Sequence, residues 1–501
     1  MKRPTRIPLF LASATLSLIM MACAVDSPTV PLRANPGFNP VFAHRFGDNK
    51  MMVCHMTDDG PPHIIEIATA AREAHAEHGD HIAQFVVDKN SAEIGDGIHF
   101  ERIGDAIAAA RAVRLARDEQ ETAACRITIV VAAGTYRGSV SQSADPAFER
   151  FPLVIDVPDV TLQGALAMHL DETGRATGVS ENDVASSLAP SPALVSVLNF
   201  SEPLVAVNGH PNGSKGNGAI VEGFAFQSGH VGVDTRIGGL GILSLRVHDV
   251  VVRGNRFEAG FSESVDLRAS SGSVQSNHLG GGGGTCDICL AGPGAYEAEG
   301  NRLLAGGIPG ILVVPATGLL VPQGRDIEAY LLPTSATVDA ILVNNEVRDH
   351  LRTPVGVGIR VAAVGVGAAT VVGLSRVEAR ENVLVNNRFA MIVEAGFPAL
   401  NTPRRGDVEL TLHGNIFSAS CQNNFLVSFA RHTTGLGITI PPTPYLLNSS
   451  FTLSLGGDIA WDDVWYSHPG GFGNTLTVDG VVIPNGSRNA YEGPRTCSPS
   501  P

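Results

Sequence analysis

The sequence predicts an all-β fold, a right-handed parallel β-helix with an N-terminal capping α-helix and a small His-rich N-terminal module. Three observations predict it. A short asparagine-centred motif recurs along the second half of the chain, apolar residues stand at fixed offsets from that asparagine, and one amphipathic helix precedes the first β-branched run.

The motif reads "VVRGNRF" (251–257), "VQSNHL" (274–279), "AEGNRL" (298–303), "LVNNEV" (342–347), "LVNNRF" (384–389) and "LHGNIF" (412–417). Its asparagines are Asn255, Asn277, Asn301, Asn345, Asn387 and Asn415, at intervals of 22, 24, 44, 42 and 28 residues. Self-similarity at such a period marks a solenoid. The two intervals near twice 22 imply two coils that have lost their asparagine. Three residues before each asparagine stands Val252, Val274, Ala298, Leu342, Leu384 or Leu412, and two after it Phe257, Leu279, Leu303, Val347, Phe389 or Phe417. Inward, turn, outward, inward is what a strand-forming coil needs to bury one face. Asparagine suits the turn because it tolerates left-handed dihedrals, and its amide can bond to that of the next coil in a ladder. A two-sheet sandwich would instead show turns every 8–12 residues or so.

The capping element lies at 98–120, where "FERIGDAIAAARAVRLARDEQ" sets Ile103, Ala106, Ile107, Ala110 and Val113 at helical spacing. "CRITIVVAAGTYRGSV" follows it, a β-branched run and then Gly134-Thr135-Tyr136. Helix, strand and "GTY" turn together with the asparagine repeat resemble the pectin-lyase-like superfamily. The resemblance runs from about 98 to about 485, with "VTLQG" (160–164) and "GAIVEGFAF" (218–226) as further coils. It implies a solenoid over 96–485 and, by analogy alone, carbohydrate as ligand. Interruptions at about 165–195 and 316–336 are expected to emerge from one face, often the binding face of a solenoid. Asp479-Gly480 between β-branched runs predicts a two-residue hairpin that caps the last coil, with 486–501 as a tail.

At the other end, Lys2, Arg3 and Arg6 precede the apolar run "IPLFLASATLSLIMMA" and then Cys23. This resembles a bacterial lipoprotein signal, which implies a signal peptide at 1–22, lipidation of Cys23, and an exported protein of the outer membrane or cell surface held to the membrane by that lipid. Periplasmic or secreted release follows if cleavage is ordinary. The Pro-rich stretch 23–46 reads as a tether. Loss of residues 1–22, with three basic and no acidic residues, moves the formal net charge from −14 to −17. That charge disfavours nucleic acid as a partner. The remaining cysteines, 54, 125, 286, 289, 421 and 497, are even in number, as disulfides in an exported chain would be.

Candidate chemistry begins in the module at 47–90, where His55, His63, His75, His78 and His81 crowd into 28 residues counted from Cys54. His75 and His78 are three apart on a predicted helix and so share a face. With Cys54 and His55 from the preceding strand they could complete a tetrahedral zinc site, with Asp80 or Glu77 orienting a ligand histidine. The stretch resembles a short Cys-His … Ala-His … His-Gly-Asp module of exported bacterial proteins, to which no activity attaches. The plainer alternative is a helix end favoured by imidazoles, with Cys54 in a disulfide. "CDIC" (286–289) lacks the second pair a zinc site wants and reads as a disulfide or buried thiols.

On the solenoid, Arg256, His278 and Arg302 follow their asparagines directly and would stack on successive coils. Two guanidiniums flanking an imidazole could hold a sugar carboxylate while the imidazole removes the adjacent proton, as β-elimination of a uronide requires. Against this, any polar residue is tolerated at a solvated position, and Glu346 and Ile416 occupy it elsewhere. Glu263, Asp266 and Arg268 are expected to face solvent together. Asp462 and Asp463 sit between Trp461 and Trp465, which read as cap packing. Polygalacturonase and pectate lyase motifs are absent. The leading functional expectation is therefore a cell-envelope protein that binds or presents to surface polysaccharide. The alternatives are a polysaccharide lyase or glycoside hydrolase, and a metal-binding protein acting through the His-rich module.

Overall fold

A computed structural model describes residues 50–487 apart from 58–59, 92, 95, 117–124, 140–148, 179–184, 191–202, 209–215, 229–239, 262, 282–285, 307–308, 316–334, 352–355, 364–371, 396–404, 419, 421–422, 430–447 and 469–471. The signal peptide at 1–22, Cys23, the tether at 23–46, Cys421, Cys497 and nearly all of 316–336 and 486–501 lie outside the described residues.

Three long sheets, parallel apart from one closing antiparallel pair, form the solenoid among the described residues. The first has 14 strands and ends in Thr475–Val478 and Val481–Ile483, the second has 10 from Glu149–Arg150 to Ile416–Ser418, and the third has 10 from Leu153–Ile155 to Val464–Ser467. In the middle of the solenoid each coil gives one strand to each sheet. Val250–Arg253, Arg256–Phe257 and Glu263–Arg268 form one coil, and Gly272–Gln275, His278–Leu279 and Cys286–Ala291 pair with them in parallel as the next. The winding is a right-handed parallel β-helix, the hand that strand twist imposes on parallel crossovers.

The apolar offsets of the motif become columns of core residues. Leu162, Val221, Val252, Val274, Ala298, Leu342, Ala379 and Leu412 stack through the first sheet, all buried. Phe226, Phe257, Leu279, Leu303, Val347 and Leu384 do the same in the second. Phe226 and Phe257 are stacked rings with centroids 4.6 Å apart. Period-2 alternation in short strands is thus what sorts core from surface.

The asparagine ladder is present, with one member different from expectation. Each ladder residue donates its backbone N–H and its Nδ2 to the Oδ1 of the next: Asn255 to Asn277, Asn277 to Asn301, Asn301 to Asn345, Asn345 to Asn382, and Asn382 to Asn415, at 2.8–3.1 Å. Asp458 ends it by accepting from Asn415. Asn382 holds the place expected for Asn387. Asn387 stands instead at a second corner, where its Oδ1 accepts the His350 N–H and its Nδ2 donates to the Val347 carbonyl. No coil has lost its asparagine between Asn301 and Asn345, because their strands are direct neighbours. The extra length lies between strands.

Left-handed backbone falls on the residue before the ladder asparagine, not on it. Gly254, Ser276, Gly300, Asn344, Glu381 and Gly414 all have φ between 50° and 70°. The asparagine is thus required for its amide, which meets two carbonyl-type acceptors and two donors at a buried corner.

Both ends of the solenoid are closed. Helix Ile103–Leu115 lays Ile103, Ala106, Ile107 and Ala110 on the first coil. Its first two N–H groups are received by the buried Glu149 carboxylate, Ile103 at 2.7 Å and Gly104 at 3.1 Å. At the far end Val481–Ile483 folds back antiparallel on Thr475–Val478 through Asp479 (φ 47°) and Gly480 (φ 78°), the two-residue turn the sequence predicts. Trp461 stacks on Tyr466 at 4.6 Å and packs against the core, while Trp465 packs beside Ile392 and Leu426 on the third sheet.

The His-rich module is a three-stranded antiparallel sheet, Lys50–His55 between His63–Ala68 and His81–Ile82, with short helix Arg72–Glu77. A disulfide joins Cys54 to Cys125. Strand Gln84–Val87 already runs parallel to Ile127–Val131, so the chain passes from module into the first sheet without a break.

Candidate functional site

Arg256, His278 and Arg302 stand in strict register on three adjacent strands of the second sheet, continued by Glu346 on the fourth. Their place follows from the ladder, because each is the first residue after a buried asparagine and its side chain must turn outward. Arg302 Nε lies 3.4 Å from Glu346, and Arg256 Nη2 lies 3.8 Å from Glu258. The imidazole sits between the guanidiniums, and its Nδ1 is buried with no hydrogen-bond partner among the described residues. Burial, then Arg302 and Arg256, pull His278 down to about 4. At neutral pH it is an uncharged imidazole between two cations.

The insertion after 165 folds onto this stripe. A small hairpin, His169–Leu170 with Ala176–Gly178, packs over the strands that carry His278 and Arg302. Its tip is tied to the neighbouring corner: the Gly174 carbonyl accepts from Ser276 Oγ at 2.9 Å, Ala176 N–H donates to the Gly300 carbonyl at 2.8 Å, and Arg175 Nε donates to the Asn344 carbonyl at 3.0 Å. Arg302 Nη1 donates to the Thr177 carbonyl. The stripe is therefore one wall of a covered edge whose arginine side chains remain 30 % and 25 % exposed, enough to be reached by a ligand.

A second charged group sits on the third sheet, and it differs from expectation. Glu263, Asp266 and Arg268, expected at the surface, are 5 %, 0 % and 1 % exposed. The outward face of that sheet is itself buried, with Cys289, Leu312, Ile392 and Leu426 in the same row as Asp266. Arg268 Nε donates to Asp266 at 2.6 Å, Arg360 Nη2 lies 2.6 Å from Glu394, and His350 Nε2 lies 3.0 Å from Asp287. Burial pushes the Asp266 carboxyl upward against the pull of Arg268. Asp287, His350, Arg360 and Glu394 carried no sequence signal, because their partners lie 63 and 34 residues apart on other coils. Cys286 and Cys289 beside them form a disulfide. Opposite charges matched in pairs and closed to water describe an internal brace more than a substrate site.

No family model matches the chain, and no curated protein matches it. Solved structures with which it shares a likeness are parallel β-helix proteins. DFA-IIIase from Arthrobacter chlorophenolicus A6 is 13 % identical, with 80 % of this chain and 97 % of that one covered and a TM-score of 0.42. The mannuronan C-5 epimerase AlgE6 A-module of Azotobacter vinelandii is 12 % identical over 75 % and 90 %, TM-score 0.35. The catalytic domain of a GH87 α-1,3-glucanase is 10 % identical over 78 % and 69 %, TM-score 0.33. Likeness at that level says nothing of activity.

In the His-rich module the expected ligand set is only half assembled. Cys54 is spent in its disulfide and so is no thiolate. His78 closes helix Arg72–Glu77 as an exposed cap residue. His55 and His75 do meet, through Asp80: His55 Nδ1 is 2.8 Å and His75 Nδ1 2.6 Å from the same Oδ2, while Asp80 Oδ1 accepts the Met56 N–H at 2.8 Å. Burial raises the Asp80 carboxyl, and the bonds from His55, Met56 and His75 outweigh it and hold the group below its usual range. This His/Asp group could hold a metal ion.

Proposed function

We propose that the chain is an exported, lipid-anchored, carbohydrate-active enzyme that acts on an acidic polysaccharide along the Arg256–His278–Arg302 stripe. One observation carries the reading. Two guanidiniums and an imidazole converge from three successive coils beneath an inserted hairpin, on a chain whose net charge is otherwise strongly negative. Arg256 and Arg302 would receive the carboxylate of a uronate unit, since guanidinium matches that fork geometry. Anchored there, the sugar presents its carboxylate-bearing carbon to the neutral His278, which takes the proton from that carbon; the electron pair forms the double bond to the neighbouring carbon and expels the glycosidic oxygen, which leaves as a hydroxyl after taking a proton from the imidazolium or from water. Burial is the larger cause of the lowered His278. An anion between the guanidiniums offsets the smaller part due to Arg302 and Arg256 and so moves the imidazole toward greater basicity. Export and attachment through Cys23 are supported by the N-terminal basic, apolar, Cys pattern alone.

The test is a panel of acidic and neutral polysaccharides incubated with the purified 24–501 chain, with unsaturated uronide read by ultraviolet absorbance. Expected is product from a uronate polymer, loss of roughly 10²–10⁴-fold in kcat for His278→Ala, and a raised KM for Arg302→Lys. Binding without turnover would favour the presenting-protein reading, and activity untouched by His278→Ala would remove the stripe as the site.

A further inference from the structure

Given the stripe as the working site, a reading on which this one rests, we infer that it selects a lone uronate flanked by uncharged sugars, as in a polymer that alternates acidic and neutral units. Glu346 is the residue that turns away a second acid.

Strand pairing sets Arg256, His278, Arg302 and Glu346 in one outward row of the second sheet, one residue per coil. Neighbouring coils stand about 4.8 Å apart, close to the length of one pyranose unit, so a glycan lying along the row meets about one new side chain per sugar. Cations hold only two places in it, on either side of His278. Before Arg256 the row has Ala225, which is buried and carries no charge. Past Arg302 come Glu346, then Val383 and Ile416, the last 56 % exposed. A polymer with a carboxylate on every unit needs a cation at every step. Here it finds a carboxylate at the first step past Arg302.

Charge pairing narrows the choice further. Glu258 lies 3.8 Å from Arg256 Nη2, and Glu346 lies 3.4 Å from both Arg302 Nε and Arg348 Nη1. Each guanidinium of the row is thus already accompanied by one carboxylate, and the row is no bare cationic rail for a polyanion. The position between them is different. After burial, what acts on His278 is the charge of Arg302 and Arg256, so a single carboxylate placed there meets two attractive fields that add. One coil past Arg302 the sign reverses. The Glu346 side chain is 18 % exposed, so water screens it poorly against an incoming anion. Arg348 does not undo this, because Asp349 lies 3.7 Å from its Nε. A neutral sugar at that place instead donates its hydroxyls to Glu346, which as a carboxylate only accepts, and lays its C–H face toward Val383 and Ile416.

The experiment compares two trisaccharides, one with a central uronate between two neutral hexoses and one made of three uronates. Affinity is measured on the purified chain carrying His278→Ala, and release of unsaturated uronide on the unaltered chain. Expected is affinity about tenfold higher for the flanked uronate at low salt, with the ratio shrinking as salt is raised and the repulsion is screened. Glu346→Gln removes the charge and keeps an acceptor for Arg302, and it should bring the ratio close to one. Far-UV circular dichroism checks that each variant is folded. Equal affinities for the two ligands, or a ratio that Glu346→Gln leaves unchanged, would overturn the inference while leaving the stripe as the site. Failure of either ligand to bind, or binding that survives Arg256→Ala with Arg302→Ala, would remove the reading of the stripe and this inference with it.

Discussion

Asn301→Ala removes the most from the ladder for the least change in volume. The Asn301 Oδ1 accepts from the Asn277 N–H and Nδ2, both at 3.0 Å, and its Nδ2 donates to the Val274 carbonyl at 2.7 Å and to Asn345 Oδ1 at 2.9 Å. The residue is 0 % exposed, so no water replaces it. Alanine leaves one backbone N–H and one backbone C=O buried and unpaired, each costing about 1–3 kcal/mol. With neighbours sharing the strain the total should be about 4 kcal/mol. In a solenoid each coil couples mainly to the next, so the loss is local rather than spread over the chain. Native-state hydrogen exchange reads it: the Asn277 amide should exchange about 10³-fold faster, since each 1.4 kcal/mol or so is a factor of ten. A change under tenfold would refute the view that the ladder amides hold the coils in register.

Three further outcomes follow from the same contacts. The His278 imidazole, lowered to about 4 from an ordinary value near 6.5, is neutral in the fold over a pH window where the unfolded chain is protonated. Stability is thus whole above pH 6.5 and is drained as pH falls toward 4, by about 1–2 kcal/mol after solvent screening. Chemical denaturation of His278→Asn should show its disadvantage shrinking, or reversing, across that window, and a pH-independent difference would contradict the placement. Glu149→Ala unties the Ile103 and Gly104 N–H groups and should cost about 1–2 kcal/mol in the capping coil, visible as a lower thermal midpoint; less than 0.5 kcal/mol or so would mean that the cap is dispensable. Replacing Cys54 and Cys125 by serine releases a link spanning 71 residues. The expected loss is about 2–4 kcal/mol, and an unfolding midpoint indifferent to reductant would count against that pairing.

Much of the fold could be read from the sequence because its signal is local and repeated. An asparagine with apolar residues three before and two after recurs from coil to coil after Val250, so Asn255, Asn277, Asn301, Asn345 and Asn415 could be found by spacing. Asn387 could not be told from Asn382 that way. Ala379 and Leu384 flank Asn382 at the same offsets at which Leu384 and Phe389 flank Asn387, and each asparagine follows a left-handed residue, Glu381 or Asn386. Only the partner distinguishes them, Asn345 for one and His350 for the other. The stripe could be read because it inherits the ladder's register. The burial of Asp266 and Arg268 could not, because alternation tells inward from outward but not whether an outward face is covered. In the module, the cluster of histidines was evident while its centre was not. Asp80 was one acidic residue among several until the fold placed His55, 25 residues away, against the same oxygen as His75.

The most direct measurement is an NMR titration of the His278 ring protons with and without a saturating acidic oligosaccharide. The free protein should titrate near 4, and the ligand, by offsetting the charges of Arg302 and Arg256, should move that midpoint upward. A midpoint that stays put while the oligosaccharide is bound would place the ligand elsewhere and contradict the assignment of the stripe as the working face of this chain.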